Sequence, residues 1–266
     1  FTTLIFSLIT SYAYTQIDII HPPNWWIGFE TQNLQLLVKG NNISEYEVGI
    51  EYPGVDIKNI HKADSPNYLF LDLQISNSTL PGTFKIEFNK GQKKLTHNYK
   101  IENRRKPSQQ NEGFDSSDVI YLITPDRFAN GDYSNDIIKS LKENKIDRKD
   151  NYARHGGDII GVTQNMDYIK EMGFTSIWLN PVLINDMKEG SYHGYATTDY
   201  YTPDPRFGSM DDYLEFSEKA SKNGIKLIKD IIVNHCGLYH WWMDDLPFND
   251  WLNFQEIYLK SNDETI

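Results

Sequence analysis

The spacing of apolar residues changes near the middle of this 266-residue chain. In residues 17–102 apolar and polar side chains alternate, which is the two-residue period of half-buried β-strands. From residue 118 onward, short apolar runs alternate with segments in which apolar residues recur every three or four positions, as in helices. A polar linker, residues 103–117, separates the two patterns. Two domains of different fold class are therefore expected.

The first pattern predicts a small antiparallel β-sandwich, immunoglobulin-like in scale. Glycine, proline and asparagine turns separate its alternating runs. The clearest runs are Leu34–Val38, Tyr46–Tyr52, Leu69–Ile75, Phe84–Phe88 and Leu95–Ile101. The neighbouring Trp25 and Trp26 either seal an edge of this sandwich or form a sugar-stacking platform.

The second pattern predicts a parallel sheet wrapped by helices. Strands are expected at Val119–Ile123, Phe174–Asn180 and Ile225–Val233. One helix is expected around Val162, Met166 and Ile169, and another is expected from Ser209 to Gly224. A closed barrel needs eight strands and typically about 250 residues. We therefore interpret residues 118–266 as the first part of a (β/α)8 TIM barrel, truncated after about strand 3, with a small open α/β sheet as the alternative.

The charge and the N-terminus limit the function classes. A formal net charge of −11 argues against a nucleic-acid partner and favours a neutral ligand. Residues 1–16 have a short apolar core followed by small and polar residues, which predicts a partial signal peptide, although a first strand is the alternative. This stretch is too short to span a bilayer. The single cysteine, Cys236, excludes an intramolecular disulfide.

An oxygen-rich loop follows the first predicted strand of the second domain. Residues 126–136 bring several Asp and Asn side chains together around a glycine, and His155-Gly-Gly-Asp158 follows. Hard cations such as Ca²⁺ take six to eight oxygen ligands. The sequence therefore predicts a calcium loop, with a solvated Asn/Asp/Gly turn as the alternative.

Two further motifs are expected at the carboxyl ends of the second and third strands. Tyr192-His-Gly-Tyr195 offers aromatic faces and ring nitrogens, the mixture that a neutral sugar requires. Asp230 and the pair Asn234-His235 bracket an apolar run. Because parallel strands open onto a common rim, we expect these motifs to lie together. The alternatives are a loop held by aromatic packing and a capped strand end.

In this order, the four motifs resemble those of family 13 glycoside hydrolases, the α-amylase family. The N-terminal residues 22–26 and 52–54 are similar to the N-terminal module of neopullulanases and cyclomaltodextrinases. The resemblance implies retaining hydrolysis of α-1,4-glucans such as maltodextrin, cyclodextrin or pullulan. It also implies secretion to the periplasm or outside the cell, and it allows a homodimer of the full-length enzyme.

The resemblance also assigns residues. The implied substrate-binding residues are Tyr192, His193, Tyr195, His235 and Asp230. The implied calcium ligands are Asn130, Asp132, Asn135, Asp136, the carbonyl of Gly156 and Asp158, with Asn234 holding the adjoining loop through calcium. The catalytic nucleophile and acid/base are expected beyond Ile266, so the chain alone is expected to show no turnover.

Two other functions compete with this interpretation. A non-catalytic starch- or maltooligosaccharide-binding protein would keep the aromatic rim and lack the acids. A phosphate-handling α/β domain is disfavoured because no glycine-rich loop opens a helix after the first strand. Trp241, Trp242 and Trp251 follow the third strand, where the family has an inserted domain that borders the cleft.

Overall fold

The computed structural model describes residues 17–104 and 113–253. These residues form two compact units. The first unit contains the described residues up to 104 and those from Leu246 onward, and the second ends at Asp245. The predicted signal peptide, residues 1–16, lies outside the described residues. No helix within the described ranges is long and apolar enough to cross a membrane.

The first unit contains two four-stranded sheets around one core. The sheet orders are β1-β3-β6-β5 and β2-β8-β7-β4. Leu36, Leu71, Ile86 and Tyr99 are fully buried between them. The strands are β1 Ile17–His21, β2 Asn24–Ile27, β3 Asn33–Gly40, β4 Glu47–Ile50, β5 Val55–Lys62, β6 Tyr68–Ile75, β7 Gly82–Lys90 and β8 Lys93–Asn103, with a 3-10 helix at Ile43–Glu45.

One strand pair departs from the predicted antiparallel arrangement. Strand β2 runs parallel to β8, although the other described pairs of this unit are antiparallel. The chain crosses from the first sheet to the second between His21 and Asn24, which places β2 at an edge. At this edge Trp25 packs against the core, whereas Trp26 is 37% exposed. Trp25 therefore fits the interpretation in which the tryptophan seals an edge of the sandwich.

The last described segment packs on the outer face of the first sheet. Phe70 stacks on Phe248, with ring centroids 5.6 Å apart, and Trp251 lies 6.2 Å from the same ring. The backbone N–H of Ser65 donates to the carbonyl of Pro247. These contacts bury Phe70, which would otherwise be an apolar side chain on the outer face of a strand.

The second unit is built on three parallel strands in the order β11-β10-β9. Its strands are β9 Ile120–Ile123, β10 Ser176–Leu179 and β11 Lys226–Lys229. Its helices are α1 Pro125–Phe128, α2 Ile159–Gln164, α3 Met166–Glu171 and α4 Met210–Lys222, with 3-10 helices at Ser191–His193 and Trp241–Met243.

The two faces of this sheet differ. Ile177 and Leu179 pack with the helices, whereas Leu122 is 54% and Trp178 is 37% exposed on the opposite face. Parallel sheets normally have both faces covered. Within the described residues the helices therefore cover one face of this sheet, and the opposite face is open.

Local chemistry explains where the elements end. Ser209 and Asp212 form a capping box that starts α4, and Gly224, with φ of 71°, lies just past its end, as the sequence predicts. The single helix predicted around Val162 is instead divided at Asn165, whose side chain donates to the Gly161 carbonyl at 2.8 Å.

The third strand is shorter than predicted. It ends at Lys229, whereas the apolar pattern continues to Val233. Strand β11 pairs with β10 over four residues, Ser176 to Leu179, and lies at an edge of the sheet within the described residues. The residues from Asp230 onward therefore leave the sheet as a loop, with Val233 86% exposed.

Candidate functional site

The ends of the second and third strands share one carboxylate. The hydroxyl of Tyr195 donates to Oδ2 of Asp230 at 3.1 Å, and the indole N–H of Trp178 donates to the same oxygen at 3.2 Å. His235 Nε2 lies 3.0 Å from the carbonyl oxygen of Tyr195. A carbonyl only accepts, so Nε2 carries the hydrogen, and no hydrogen bond to Nδ1 is found within the described ranges. The structure thus brings three predicted sugar-binding residues, Tyr195, Asp230 and His235, together.

Strand register explains why Trp178 meets Asp230. Trp178 pairs directly with Ile228 of β11, and side chains two residues apart lie on the same face of a strand. Asp230 therefore follows Ile228 on the face that carries the indole. Trp178 was not among the predicted site residues. An aromatic residue within a short strand of otherwise aliphatic pattern is the sequence signal that marks it.

The Tyr192–Tyr195 segment is a tight aromatic turn. The ring of His193 stacks on that of Tyr195 at 5.8 Å and 26°, and Tyr192 meets His193 edge-on at 5.5 Å. His193 Nδ1 accepts the backbone N–H of Tyr195 at 2.9 Å. Gly194, with φ of 80°, makes the turn possible because L side chains rarely adopt this conformation.

Burial and a neighbouring charge shift the pKa values of two residues in this segment, Tyr195 and His193. Burial, together with the Asp230 carboxylate, raises the pKa of Tyr195, so its hydroxyl remains a donor at neutral pH. Burial also lowers the pKa of His193, which agrees with a neutral ring whose Nδ1 accepts a hydrogen bond. The segment therefore presents neutral aromatic groups, which suit an uncharged ligand.

Asp158 organises the loop that was predicted to bind calcium. Its carboxylate caps helix α2 by accepting from Gly161 N at 2.6 Å. It also accepts the backbone N–H of Gly131 and that of Asp132, at 3.1 Å and 2.8 Å. This buried carboxylate therefore holds the loop against the start of the helix.

Several oxygens of this loop fit a hard cation. Oδ1 of Asn130 and Oδ1 of Asn135 are buried and have no hydrogen-bond partner among the described residues. Burial raises the pKa of Asp136, whose Oδ1 accepts from Asn130 Nδ2 at 2.6 Å. A Cβ added at Gly156 would lie 2.6 Å from that same Oδ1 and 3.0 Å from Asn130 Nδ2, so the backbone approaches closely only because residue 156 is glycine. Buried oxygens without donors are the groups that a cation satisfies.

Other predicted ligands fit less directly. The hydroxyl and backbone N–H of Ser134 lower the pKa of Asp132, whose carboxylate bonds to that residue. Asn234 is exposed, and no hydrogen bond joins it to the loop within the described ranges. Among the described residues no group of three or more His, Cys, Asp or Glu is placed to hold a metal ion. A cation bound in this loop would therefore depend on side-chain amide oxygens and backbone carbonyl oxygens.

A buried ionic cluster supports the loops around the site. Arg206 and Asp204 form a two-pronged pair, with Nε to Oδ1 at 2.8 Å and Nη2 to Oδ2 at 2.6 Å. The same guanidinium donates to the carbonyls of Glu143 and Asn185, both at 2.9 Å. Oδ2 of Asp204 in turn accepts the backbone N–H of Asn185. The cluster thereby ties together loops that follow β9 and β10.

A polar cavity of about 300 Å³ lies beside the oxygen-rich loop. Neither Tyr195 nor His235 lines it. Its walls are formed by Asp126, Arg127, Phe128, Ala129, Asn130, Tyr133, Arg148, His155 and Gly157.

The described residues thus form a β-sandwich followed by an α/β domain that has polar side chains at its strand ends. A family model described as the N-terminal domain of cyclomaltodextrinase matches residues 19–105, and the α-amylase catalytic domain model matches residues 122–262. The chain belongs to the α-amylase family, in which it joins a cyclomaltodextrinase N-terminal domain to part of the catalytic domain. The family identified from the sequence motifs is thus confirmed.

Curated relatives carry names that fit this family. The chain is 43% identical over 122 residues to a β/α-amylase of Paenibacillus polymyxa, covering 46% of this chain and 10% of that protein. It is 36% identical over 151 residues to the cyclomaltodextrinase of Thermoanaerobacter pseudethanolicus, covering 54% and 25%. It is 32% identical over 154 residues to neopullulanase 2 of Thermoactinomyces vulgaris, covering 55% and 26%. The chain therefore spans about a quarter or less of the length of each of these relatives.

Proposed function

We propose that these 266 residues form part of a retaining hydrolase of α-1,4-glucans. The observation that carries this proposal is the meeting of Tyr195, Asp230 and His235 at the ends of two neighbouring strands. Active sites of β/α barrels lie at this edge of the sheet. The names of the relatives, cyclomaltodextrinase and neopullulanase, support the choice of α-glucans.

Each rim group has a role in this proposal. The rings of Tyr192 and Tyr195 offer apolar faces for pyranose stacking, while Nδ1 of His235 is left to bond a sugar hydroxyl. The Asp230 carboxylate holds the Tyr195 hydroxyl through a hydrogen bond and does not act as the nucleophile. His193 holds the turn that presents both tyrosines.

The bond-breaking groups are proposed to come from other residues. Retaining glycosidases use two carboxyl groups about 5 Å apart, one as nucleophile and one as acid and base. We assign neither role to a carboxylate of this chain. The 266 residues alone would then bind glucan without turning it over.

We also propose a structural calcium ion in the oxygen-rich loop. Asn130, Asn135, Asp136, the Gly156 carbonyl and Asp158 would hold it, with Asp132 as a further ligand. The ion would satisfy the two partnerless amide oxygens and tie residues 130–136 to residues 156–158. Asn234 is proposed to hold the adjoining loop through calcium.

Location and assembly complete the proposal. The apolar core within residues 1–16 supports export to the periplasm or beyond. A homodimer of the full-length protein is proposed from the resemblance of the N-terminal module to that of the cyclomaltodextrinases.

The test uses the full-length polypeptide that contains these residues. It is incubated with cyclodextrin, pullulan and maltoheptaose, and the anomeric form of the first product is followed by proton NMR. Release of α-anomeric sugar is expected. Binding of maltoheptaose without product would overturn the hydrolase proposal in favour of a carbohydrate-binding protein, and β-anomeric product would overturn retention.

A further inference from the structure

A cation–π contact fixes the first tyrosine of the aromatic turn. The guanidinium carbon of Arg127 lies 3.9 Å from the ring centroid of Tyr192. Arg127 lies near the end of helix α1, and Tyr192 lies in the 3-10 helix Ser191–His193. The two residues are 65 positions apart in the sequence. A guanidinium plane lying over an aromatic face restricts how that ring can rotate.

Arg127 is itself held in place from two sides. Its Nη1 donates to Oδ2 of Asp126 at 2.5 Å, and its Nη2 donates to the carbonyl of Asn151 at 2.7 Å. Only a planar, forked donor group can make both bonds while it covers the ring. The side chain is 24% exposed and borders the polar cavity, so it is not part of a packed apolar core.

Asp126 connects this contact to residues 155–156, which belong to the second element of the predicted calcium site. Its carboxylate is buried and accepts the backbone N–H of His155 at 2.8 Å through Oδ2. It accepts the backbone N–H of Gly156 at 3.2 Å through Oδ1. A continuous series of contacts therefore runs from Gly156 through Asp126 and Arg127 to Tyr192.

We propose that Arg127 is a positioning residue for glucan binding, which orients the Tyr192 ring and ties that orientation to the loop at Gly156. This inference rests on the proposed function, because it takes Tyr192 as a sugar-stacking group. With one ring face covered by Arg127, the sugar stacks on the other face. A ring that is already oriented loses less freedom when the sugar binds, so the contact acts on affinity rather than on bond cleavage.

The experiment is a double-mutant cycle in the full-length polypeptide with maltoheptaose. Arg127→Met and Tyr192→Leu are each expected to raise KM about three- to tenfold, in the range of a partly buried cation–π contact, with kcat nearly unchanged. The double variant is expected to be no worse than Tyr192→Leu alone, because both changes remove one interaction. Arg127→Lys keeps the charge but not the fork, so its KM should lie between those of wild type and Arg127→Met.

The control removes a comparable contact elsewhere. Arg104 lies 4.6 Å over the ring of Phe29 in the first unit, and Arg104→Met is expected to leave KM unchanged. Additive effects in the cycle, or a fall in kcat with KM unchanged, would overturn the positioning role.

A second readout separates this inference from the proposed function. Urea unfolding midpoints of the same four proteins test the contact without any glucan. If the midpoints are non-additive but the protein is inactive on every α-glucan, the Arg127–Tyr192 contact is supported and the hydrolase proposal is rejected. Additive midpoints would reject the contact itself, whatever the activity.

Discussion

Tyr195 and Asp230 are 35 residues apart in the chain, yet the tyrosine hydroxyl donates to Oδ2 of the carboxylate at 3.1 Å. The indole of Trp178 donates to the same oxygen. One carboxylate oxygen thereby joins the second strand, the loop after it and the end of the third strand. The position of the Tyr195 ring consequently depends on a residue that need not touch the sugar.

Replacing Tyr195 by phenylalanine should separate ring stacking from this hydrogen bond. A partly exposed hydrogen bond to a charged acceptor contributes about 1 kcal/mol, so maltoheptaose affinity of the full-length protein should fall by about three- to tenfold. Isothermal titration calorimetry measures this change. Tyr168→Phe is the control, since Tyr168 is 52% exposed on helix α3. Equal affinities of Tyr195→Phe and wild type would show that the Asp230 contact does not shape the site.

Gly156 offers a matched test of the cation loop, because Gly173 has the same φ of 86°. Among the described residues, no atom lies within 4 Å of a Cβ built at Gly173, whereas one built at Gly156 collides with Asp136. Gly173→Ala should therefore cost about 1 kcal/mol for the left-handed backbone alone. Gly156→Ala should cost roughly 1–3 kcal/mol more, as overpacking does.

The same pair tests calcium. Chelation should lower the thermal midpoint of wild type and of Gly173→Ala, and added Ca²⁺ should restore it, because a ligand of the native state stabilises by about 2.7 kcal/mol at a hundredfold excess over Kd. Gly156→Ala should lose this response. Differential scanning calorimetry with and without EDTA makes the measurement, and a wild-type midpoint that EDTA leaves unchanged would count against the ion.

The buried pair of Arg206 and Asp204 should dominate the stability of the second unit. Both side chains are fully buried, so Arg206→Met leaves an unpaired buried carboxylate and should cost about 3–5 kcal/mol. Arg206→Lys should not restore stability, because it lacks the forked donors. Lys142→Met, which breaks a partly exposed pair with Asp186, should cost under about 1 kcal/mol. Urea unfolding distinguishes these outcomes, and similar costs for both pairs would contradict the expectation.

Asp118 should make stability depend on acid pH. Its carboxylate accepts from Lys226 Nζ at 2.8 Å and from Thr175 Oγ1 at 2.7 Å, near the amino ends of the three strands. The hydrogen bond from Lys226, then those from Asp115 and Thr175, hold the pKa of Asp118 well below its usual range.

The sign of that shift fixes the expected pH profile. Because the pKa of Asp118 is lower in the folded protein than in the unfolded protein, its ionised carboxylate stabilises the folded state at pH values above the unfolded pKa of about 3.9. This stabilisation is lost as the pH falls toward the folded pKa. Wild type should therefore be more stable than Asp118→Asn at pH 7, and the difference should shrink below about pH 4. Urea midpoints from pH 7 to pH 3 provide the comparison. Asp56→Asn breaks an exposed pair with Lys58 and should change the urea midpoint at pH 7 less than Asp118→Asn does.

Much of the fold could be predicted because it depends on local patterns. Alternation identified the long strands of the sandwich, and the capping box at Ser209 with Gly224 bounded helix α4. Two local predictions differ from the structure in the length of an element. One helix is divided at Asn165, and β11 ends at Lys229 where its ladder with β10 ends.

The sequence by itself determined the two domains, the family and the motifs expected at the rim, because periodicity and motif order are properties of neighbouring residues. Only the tertiary structure decided that Trp178 shares the Asp230 carboxylate, that Arg127 covers Tyr192 and that Arg206 pairs with Asp204 inside the protein. The first two contacts join residues far apart in the chain, and the third needs complete burial. They depend on strand order, register and side-chain direction, which no local pattern specifies.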